Sequence, residues 1–431
     1  MFKNIRLKNF LSFKDIDVSF GRPNSHPLNY ALFYGENGAG KTNLIQSVSF
    51  LRESVFTLKA NDILHNNPDE KKRPIDIPDI SGLCKMARTR GSEDNMLTCY
   101  TMMISGSKAV YEMEFSKDRL VREKLSLKLD KKSGTLFEMT QGENGIRRYM
   151  WDGFVTDENL KKDINSNMDR YWGMNSLLAI INLIRTHNNR EFMKKNLHKV
   201  EEVIDYIESI RIHVQPIYGQ LTVNRYSFLT STECGVMRED EEKALNAYEK
   251  ALKKFFRRIY HNVDDVFYDK RPVDKGIRYE LMFRRKLDGE QIDIPSIRES
   301  NGTRKLVNLF QTLVASASGQ VAFIDEMDSG IHDKMVYDLL LQLLPEIDGQ
   351  LVITTHNTGL LKKVSPKNVY IIDVDSLGYK HIENFSNKIR TSSNNNNQIR
   401  YLNNAVGGVP YIGEVDFRSI AEELIDELED A

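Results

Sequence analysis

Three cysteines in 431 residues is a thin supply, and Cys84, Cys99 and Cys234 are scattered, with no Cys-x-x-Cys pair. That argues against a structural zinc site or a disulfide framework and fits reduced thiols in the cytoplasm. Long apolar runs are missing as well, so no membrane span is expected. The opening Met1–Phe10 alternates as a strand does and has no apolar block of the signal-peptide kind. An excess of either charge is also absent: 60 Lys plus Arg face 61 Asp plus Glu. Any polyanion contact must therefore come from a local patch. No apolar heptad is sustained over many turns, which excludes a long coiled-coil arm.

What is present begins at Gly35-Glu36-Asn37-Gly38-Ala39-Gly40-Lys41-Thr42, a Gly-x4-Gly-Lys-Thr loop. Its context is right on both sides. Tyr30–Tyr34 is a short apolar, aromatic run that reads as a buried strand, and Asn43–Leu51 reads as a helix with Leu44, Val48 and Leu51 on one face. A strand, a glycine loop and a helix N-terminus together form an anion site, because backbone N–H groups converge and the helix dipole favours phosphate. Gly35, Glu36, Asn37, Gly38, Ala39, Gly40, Lys41, Thr42 and Asn43 are the candidate ATP-binding residues. Lys41 would reach the β- and γ-phosphates, and the Thr42 hydroxyl would hold Mg2+.

The rest of the chain alternates in texture. Ile16, Val18 and Phe20 read as a second strand, and Gly21–Ser25 as a turn. From Lys59 to Asn95 the chain reads as polar and broken, with Asn66–Pro74 an exposed loop. From Met96 to about Thr140 the period is two, which predicts an antiparallel sheet. Asp157 to Val263 is helical in spacing, as in Leu197, Val200, Val203, Ile204 and Ile207. From Ile277 strands return, with a hairpin turn at Leu287–Glu290. Helices over Arg304–Ser316 and Lys334–Leu344 then alternate with strands over Val321–Ile324, Leu351–Thr355 and Asn368–Asp373, which predicts a parallel sheet. Ser392–Asn397 is a polar low-complexity loop. The last segment is an acidic amphipathic helix with Ile420, Leu424 and Leu428 on one side, for which docking on its own domain is favoured over a partner-binding tail.

Three later segments add chemistry. Val321–Glu326 is an apolar strand ending in two acids; Asp325 is placed to hold Mg2+ through water, and Glu326 to orient or deprotonate the attacking water. Leu351–His356 is a neighbouring strand ending in a histidine whose neutral ring can hydrogen-bond the γ-phosphate or hold the water. Glu299-Ser300-Asn301-Gly302-Thr303 precedes a helix, and it reads either as a second phosphate nest or as a simple N-cap by Ser300; the sequence leaves both open.

The set Gly35–Thr42, Ser300–Thr303, Phe323–Glu326 and His356 resembles the ABC-type ATPase heads of the RecF, structural-maintenance-of-chromosomes and overcoming-lysogenization-defect (OLD) proteins. The opening Ile5–Phe13 looks like the first strand of these heads, and Ile331-His332 like the Leu-His of the OLD-like branch. The resemblance spans roughly residues 1–60 and 275–412. It implies an α/β fold: a P-loop NTPase head with a mixed sheet, an antiparallel β subdomain and a helical insertion. The expected divisions are 1–150 for the first part of the head, 151–270 for the helical insertion, 271–412 for the second part and 413–431 for the acidic helix. The resemblance also implies that Ser300 and Gly302 form a signature loop acting on ATP held by the other subunit of a head-to-head dimer or larger homo-oligomer. The chain departs from the wider pattern in having no arm, in reading Ser-Asn-Gly-Thr at the signature, and in offering no identifiable Q-loop glutamine. No acidic cluster after Glu326 suggests a fused Toprim nuclease.

The tail Arg400–Ile412 looks like the C-terminal element of stand-alone bacterial defence ATPases, AbiL- and RloA-like or of the PARIS type. Those leave the effector, often a nuclease, to a neighbouring gene. The expected function is thus an ATPase sensor or scaffold that controls a separate effector in antiviral defence, hydrolysing ATP slowly, with Glu326 and His356 catalytic. The alternative is a RecF-like DNA-binding repair ATPase, supported by the basic clusters Lys253-Lys254/Arg257-Arg258 and Arg284-Arg285-Lys286.

Overall fold

The computed structural model describes residues 1–22, 25–66, 79–129, 132–143, 145–214, 231–274, 276–388, 396–410 and 413–429. The N-terminal part runs β1 (Phe2–Phe10), β2 (Phe13–Ser19), β3 (Tyr30–Gly35), α1 (Lys41–Asn66) and α2 (Ile80–Ala87), then a meander of β4 (Met96–Ile104), β5 (Ser107–Phe115), β6 (Leu120–Lys128), β7 (Ser133–Gly142) and β8 (Gly145–Met150). All but β3 join one antiparallel sheet of seven strands, ordered β2-β1-β4-β5-β6-β7-β8. The period-two pattern produces this directly: Ala109, Tyr111, Met113 and Phe115 of β5 are buried and the residues between them are not.

Next come α3 (Glu158–Tyr171), α4 (Leu177–Thr186), α5 (Arg190–Ser209) and two short strands, β9 (Arg211–His213) and β10 (Cys234–Met237). After α6 (Glu242–Ile259), the strands β11 (Val263–Val273), β12 (Gly276–Leu287) and β13 (Glu290–Pro295) form a small antiparallel sheet with β10. The β12–β13 turn has Asp288 at φ 52° and Gly289 at φ 90°, the left-handed pair that a two-residue hairpin needs. The chain ends with α7 (Asn301–Ala317), β14 (Val321–Ile324), α8 (Asp333–Leu343), β15 (Gln350–Thr354), β16 (Val369–Val374), β17 (Lys380–Asn384), α9 (Phe385–Lys388), α10 (Asn397–Leu402) and α11 (Phe417–Glu429).

The central sheet is ordered β17-β16-β3-β15-β14-β9 and is parallel except for β17. Its strands are apolar on both faces because both are covered. Ala31 and Phe33 of β3 face one core, shared with the seven-stranded sheet and α1; Leu32 and Tyr34 face the other, shared with α6, α7 and α8. Phe323 and Ile324 of β14 split the same way. The side chain of Gln350 locks the two sheets together, accepting from the Phe2 amide at 2.6 Å and donating to the Phe2 carbonyl at 2.9 Å. This is the expected P-loop head with a mixed sheet, an antiparallel subdomain and inserted helices. The strand β9, inside the 151–270 stretch, pairs in parallel with β14 and forms the sheet's edge.

Two expectations fail. The segment 59–95 is not broken throughout: α1 continues to Asn66, and α2 follows with its N-terminus capped by Asp79. Polar residues concealed the extension of α1, and the inserted helices satisfy them: Thr57 donates to Asn175 at 2.7 Å, Ser176 to the Ser54 carbonyl at 2.9 Å, and Lys59 pairs with Glu208 at 3.1 Å. Most of the expected 66–74 loop, part of the 21–25 turn and most of the 392–397 loop lie outside the described residues. The second correction is α11, which does not dock on its own domain: Phe417 is 78% exposed and Leu428 68%. No helix among the described residues is long and apolar enough to cross a membrane. The three cysteines are free.

Candidate active site

The loop between β3 and α1 lies at the carboxyl end of the central sheet, between β15 and β16. Gly38 and Gly40 have φ of 82° and 108°, which L side chains rarely adopt. A Cβ on Gly40 would also meet the Phe13 ring at 2.9 Å, so the loop needs glycine here for space as well as conformation. Lys41 is 6% exposed and its Nζ donates to the carbonyls of Gly35 (2.8 Å) and Glu36 (2.9 Å). Burial pulls its pKa below the usual lysine range, against Asp325, Glu326, Asp328 and Glu36, which all favour the charged form. Thr42 and Asn43 follow in the first turn of α1, partly buried. The Asn43 amide donates to the Ser12 hydroxyl in the β1–β2 turn, so its side chain braces the loop.

Asp325 and Glu326 leave the end of β14 together. Asp325 is 8% exposed and accepts from the Thr354 hydroxyl at 2.6 Å; that same oxygen accepts from the Glu326 amide at 2.7 Å. The Asp325 amide donates to the His213 carbonyl of β9 at 2.8 Å. Glu326 adopts φ 46°, a left-handed conformation for a non-glycine residue, with its side chain exposed and its carbonyl accepting from Lys305 of α7. His356 follows β15, and its amide donates to Asp328 at 2.8 Å. Burial first, then the charge of Lys41, lowers the imidazole pKa from its ordinary value, leaving the ring neutral at neutral pH. The loop lysine, three carboxylates and this histidine therefore share one edge.

Ser300 is the N-cap of α7: its Oγ accepts from the Thr303 amide at 3.2 Å and contacts the Thr303 hydroxyl at 2.9 Å. A Cβ on Gly302 would come within 2.7 Å of the Gly330 carbonyl, so glycine lets α7 pack against the loop before α8. Lys305, one turn further on, ties this helix start to the Glu326 backbone. Ile331 is buried and His332 caps α8 by accepting from the Lys334 amide at 3.2 Å.

Sequence reasoning missed Thr354, Asp328, Lys305 and Lys380. Asp328 was legible as the acid two residues after Glu326. Thr354 looked like one more strand residue, and Lys305 and Lys380 carry no motif. Lys380 of β17 donates to the Gly38 carbonyl, and burial lowers its pKa. The expected basic cluster Arg284–Lys286 is largely neutralised: Arg284 pairs with Asp293 at 2.7 Å, Arg285 with Glu299 at 2.6 Å and Lys286 with Asp264 at 3.3 Å.

A family model described as an AAA ATPase domain matches residues 1–361. The chain belongs to that AAA ATPase family. Membership makes this a nucleotide-binding protein of the ATPase class. Among solved structures, the chain is similar to an SMC head bound to the C-winged helix domain of ScpA (14% identity, 89% of this chain and 97% of that one covered, TM-score 0.46). It is also similar to the SMC head domain from Thermotoga maritima (15%, 90% and 99%, TM-score 0.38). A third is an Smc head with an extended coiled coil bound to the C-terminal domain of ScpA, from Pyrococcus furiosus (13%, 89% and 95%, TM-score 0.38). No curated protein matches the chain.

Proposed function

We propose that this AAA ATPase hydrolyses ATP slowly at a site shared between two heads, and that it acts as the sensor or scaffold subunit for a separate effector, a nuclease, in antiviral defence. The observation that carries the ATPase part is the common edge of Lys41, Asp325, Glu326 and His356, held by Thr354 and Asp328. The loop amides and Lys41 bind the β- and γ-phosphates. Thr42 and Asp325 are hard oxygen donors of the kind that hold Mg2+ together with phosphate oxygens, and the ion would neutralise phosphate charge when bound. Among the described residues no group of three or more His, Cys, Asp or Glu could hold a metal; a nucleotide site of this kind needs none, because phosphate and water complete the shell. Glu326 accepts a proton from the attacking water. Neutral His356 donates to the γ-phosphate.

Ser300 and Gly302 act on the nucleotide of a second copy. What supports this is their place at the start of α7, on the Glu326 side of the sheet, with the Ser300 hydroxyl bonded, among the described residues, only within its own cap. The defence role rests on the likeness of the Arg400–Ile412 tail and on Ile331-His332. Glu326→Gln with ATP should trap a larger assembly on size-exclusion with light scattering, and Lys41→Ala should abolish nucleotide binding. Unchanged mass in Glu326→Gln with ATP removes the shared site. Phage plating tests the defence role: full protection in both variants would sink it. Capture of the adjacent gene's product tests the effector.

A further inference from the structure

Two surfaces on opposite sides of the charge balance are left open in the same chain. The first is α11. Phe417, Ile420, Leu424 and Leu428 form a helical stripe, all more than half exposed, with Ile425 widening it. The helix carries five acids, Glu422, Glu423, Asp426, Glu427 and Glu429, against one arginine, Arg418. Glu423 and Glu427 border one edge of the stripe, one turn apart.

The second is a groove of about 690 Å³ between α6, α7 and α8. Its floor is apolar, made by Phe255, Ile259, Phe310, Val314 and Leu339, with Val314 47% exposed. Lys254 and Arg258 of α6 edge it; both are exposed and neither has an ion-pair partner among the described residues. They are also spaced one turn apart, opposite in sign to Glu423 and Glu427 and equal in interval. The acid in the groove, Asp338, is already held by Lys334.

We infer that the apolar stripe of α11 from one copy docks in the α6–α8 groove of a second copy, with Glu423 and Glu427 opposite Lys254 and Arg258. An amphipathic helix laid in an apolar groove is a common mode of recognition, and charge at its edge sets orientation. The chain itself supplies both complementary halves while covering neither. The groove floor lies near Phe310 and Val314, about 15–20 Å along α7 from Ser300. The contact is therefore separate from the proposed ATP-shared site and needs no nucleotide.

Sedimentation of the full chain in nucleotide-free buffer tests this. Wild type should self-associate with rising concentration. Leu424→Asp with Leu428→Asp should weaken association at least about tenfold, as should Lys254→Glu with Arg258→Glu. Adding Glu423→Lys and Glu427→Lys to the latter pair should restore it. These residues are exposed, so thermal unfolding should confirm that each variant folds. A wild type that stays monomeric up to several hundred micromolar overturns the inference, whether α11 is free or docked on its own chain. So does a mass distribution that the α11 substitutions leave unchanged. Binding of duplex DNA that is lost in Lys254→Glu with Arg258→Glu, with self-association intact, assigns the rim to nucleic acid and likewise overturns it.

Discussion

Thr354 is the residue on which the proposed hydrolytic edge turns. One hydroxyl donates to Asp325 and accepts from the Glu326 amide, and so sets two acids from the neighbouring strand at once. Thr354→Val keeps the shape of the side chain and removes both bonds. Each buried polar group left alone costs about 1–3 kcal/mol, and Glu326 would lose part of what holds it at a left-handed φ. The expected result is a kcat lowered at least about tenfold, with nucleotide affinity in the absence of Mg2+ within about threefold of wild type, because the loop residues proposed to hold phosphate are untouched. Steady-state ATPase kinetics with labelled-nucleotide binding separate the two; an unchanged kcat refutes the positioning role. The sequence showed the acids and the histidine, because strand tips ending in charge are conspicuous. It could not show Thr354, since a threonine in a strand is ordinary until its partner strand is known.

Elements are joined in this chain by one buried carboxylate. Glu123 of β6 is fully buried; Oε1 accepts from the Tyr111 hydroxyl of β5 at 2.8 Å, and Oε2 from the Trp172 indole at 2.9 Å and the Leu177 amide at 2.7 Å. The carboxylate thus faces the start of α4, where the helix dipole favours it. Glu123→Ala strands three donors and should cost about 3 kcal/mol or more in denaturant unfolding. Burial raises the carboxyl pKa above the ordinary 4.5, in spite of the donors, which lower it. A raised folded pKa means the folded state binds its proton more readily than the unfolded chain does. The stabilising contribution is then full below 4.5 and is lost as pH rises through the folded value. Against Glu123→Gln, which cannot titrate, wild type should gain stability as pH falls from neutral towards 4.5. A flat difference across that window refutes the assignment. Such joints explain what was legible. The meander β4–β8 and the βα alternation after Arg304 follow from local periodicity. The far end of α1 does not, because Thr57 and Lys59 are satisfied by Asn175 and by Glu208 of α5, and β9 is too short to show a period at all.

At the scale of the whole molecule, the candidate nucleotide edge is assembled from segments far apart in the chain: β3 and α1 near the N-terminus, then β14, β15 and β17 after residue 320. Local patterns give the strands but not the order β16-β3-β15-β14-β9, which is decided by which faces can be covered together. This arrangement makes ligand binding a global stability term, since residues 30–42 and 321–380 must both be in place before Lys41 faces Asp325 and Lys380 reaches Gly38. A ligand that binds only the folded state stabilises it by RT ln(1 + [L]/Kd), about 2.7 kcal/mol at a hundredfold excess over Kd. For wild type the unfolding temperature should therefore climb with the logarithm of ATP concentration in the presence of Mg2+. Lys41→Ala should abolish the climb; its ligand-free midpoint is the baseline for that comparison, since the change also frees the Gly35 and Glu36 carbonyls and removes a cation from among four carboxylates. In Glu326→Gln the climb should also steepen with protein concentration, since a site shared between two heads adds association to binding. Scanning calorimetry at several protein and ATP concentrations distinguishes the two terms. A midpoint that rises equally in wild type and Lys41→Ala places the nucleotide elsewhere. A Glu326→Gln midpoint that rises with ATP but ignores protein concentration means that one head completes the site alone.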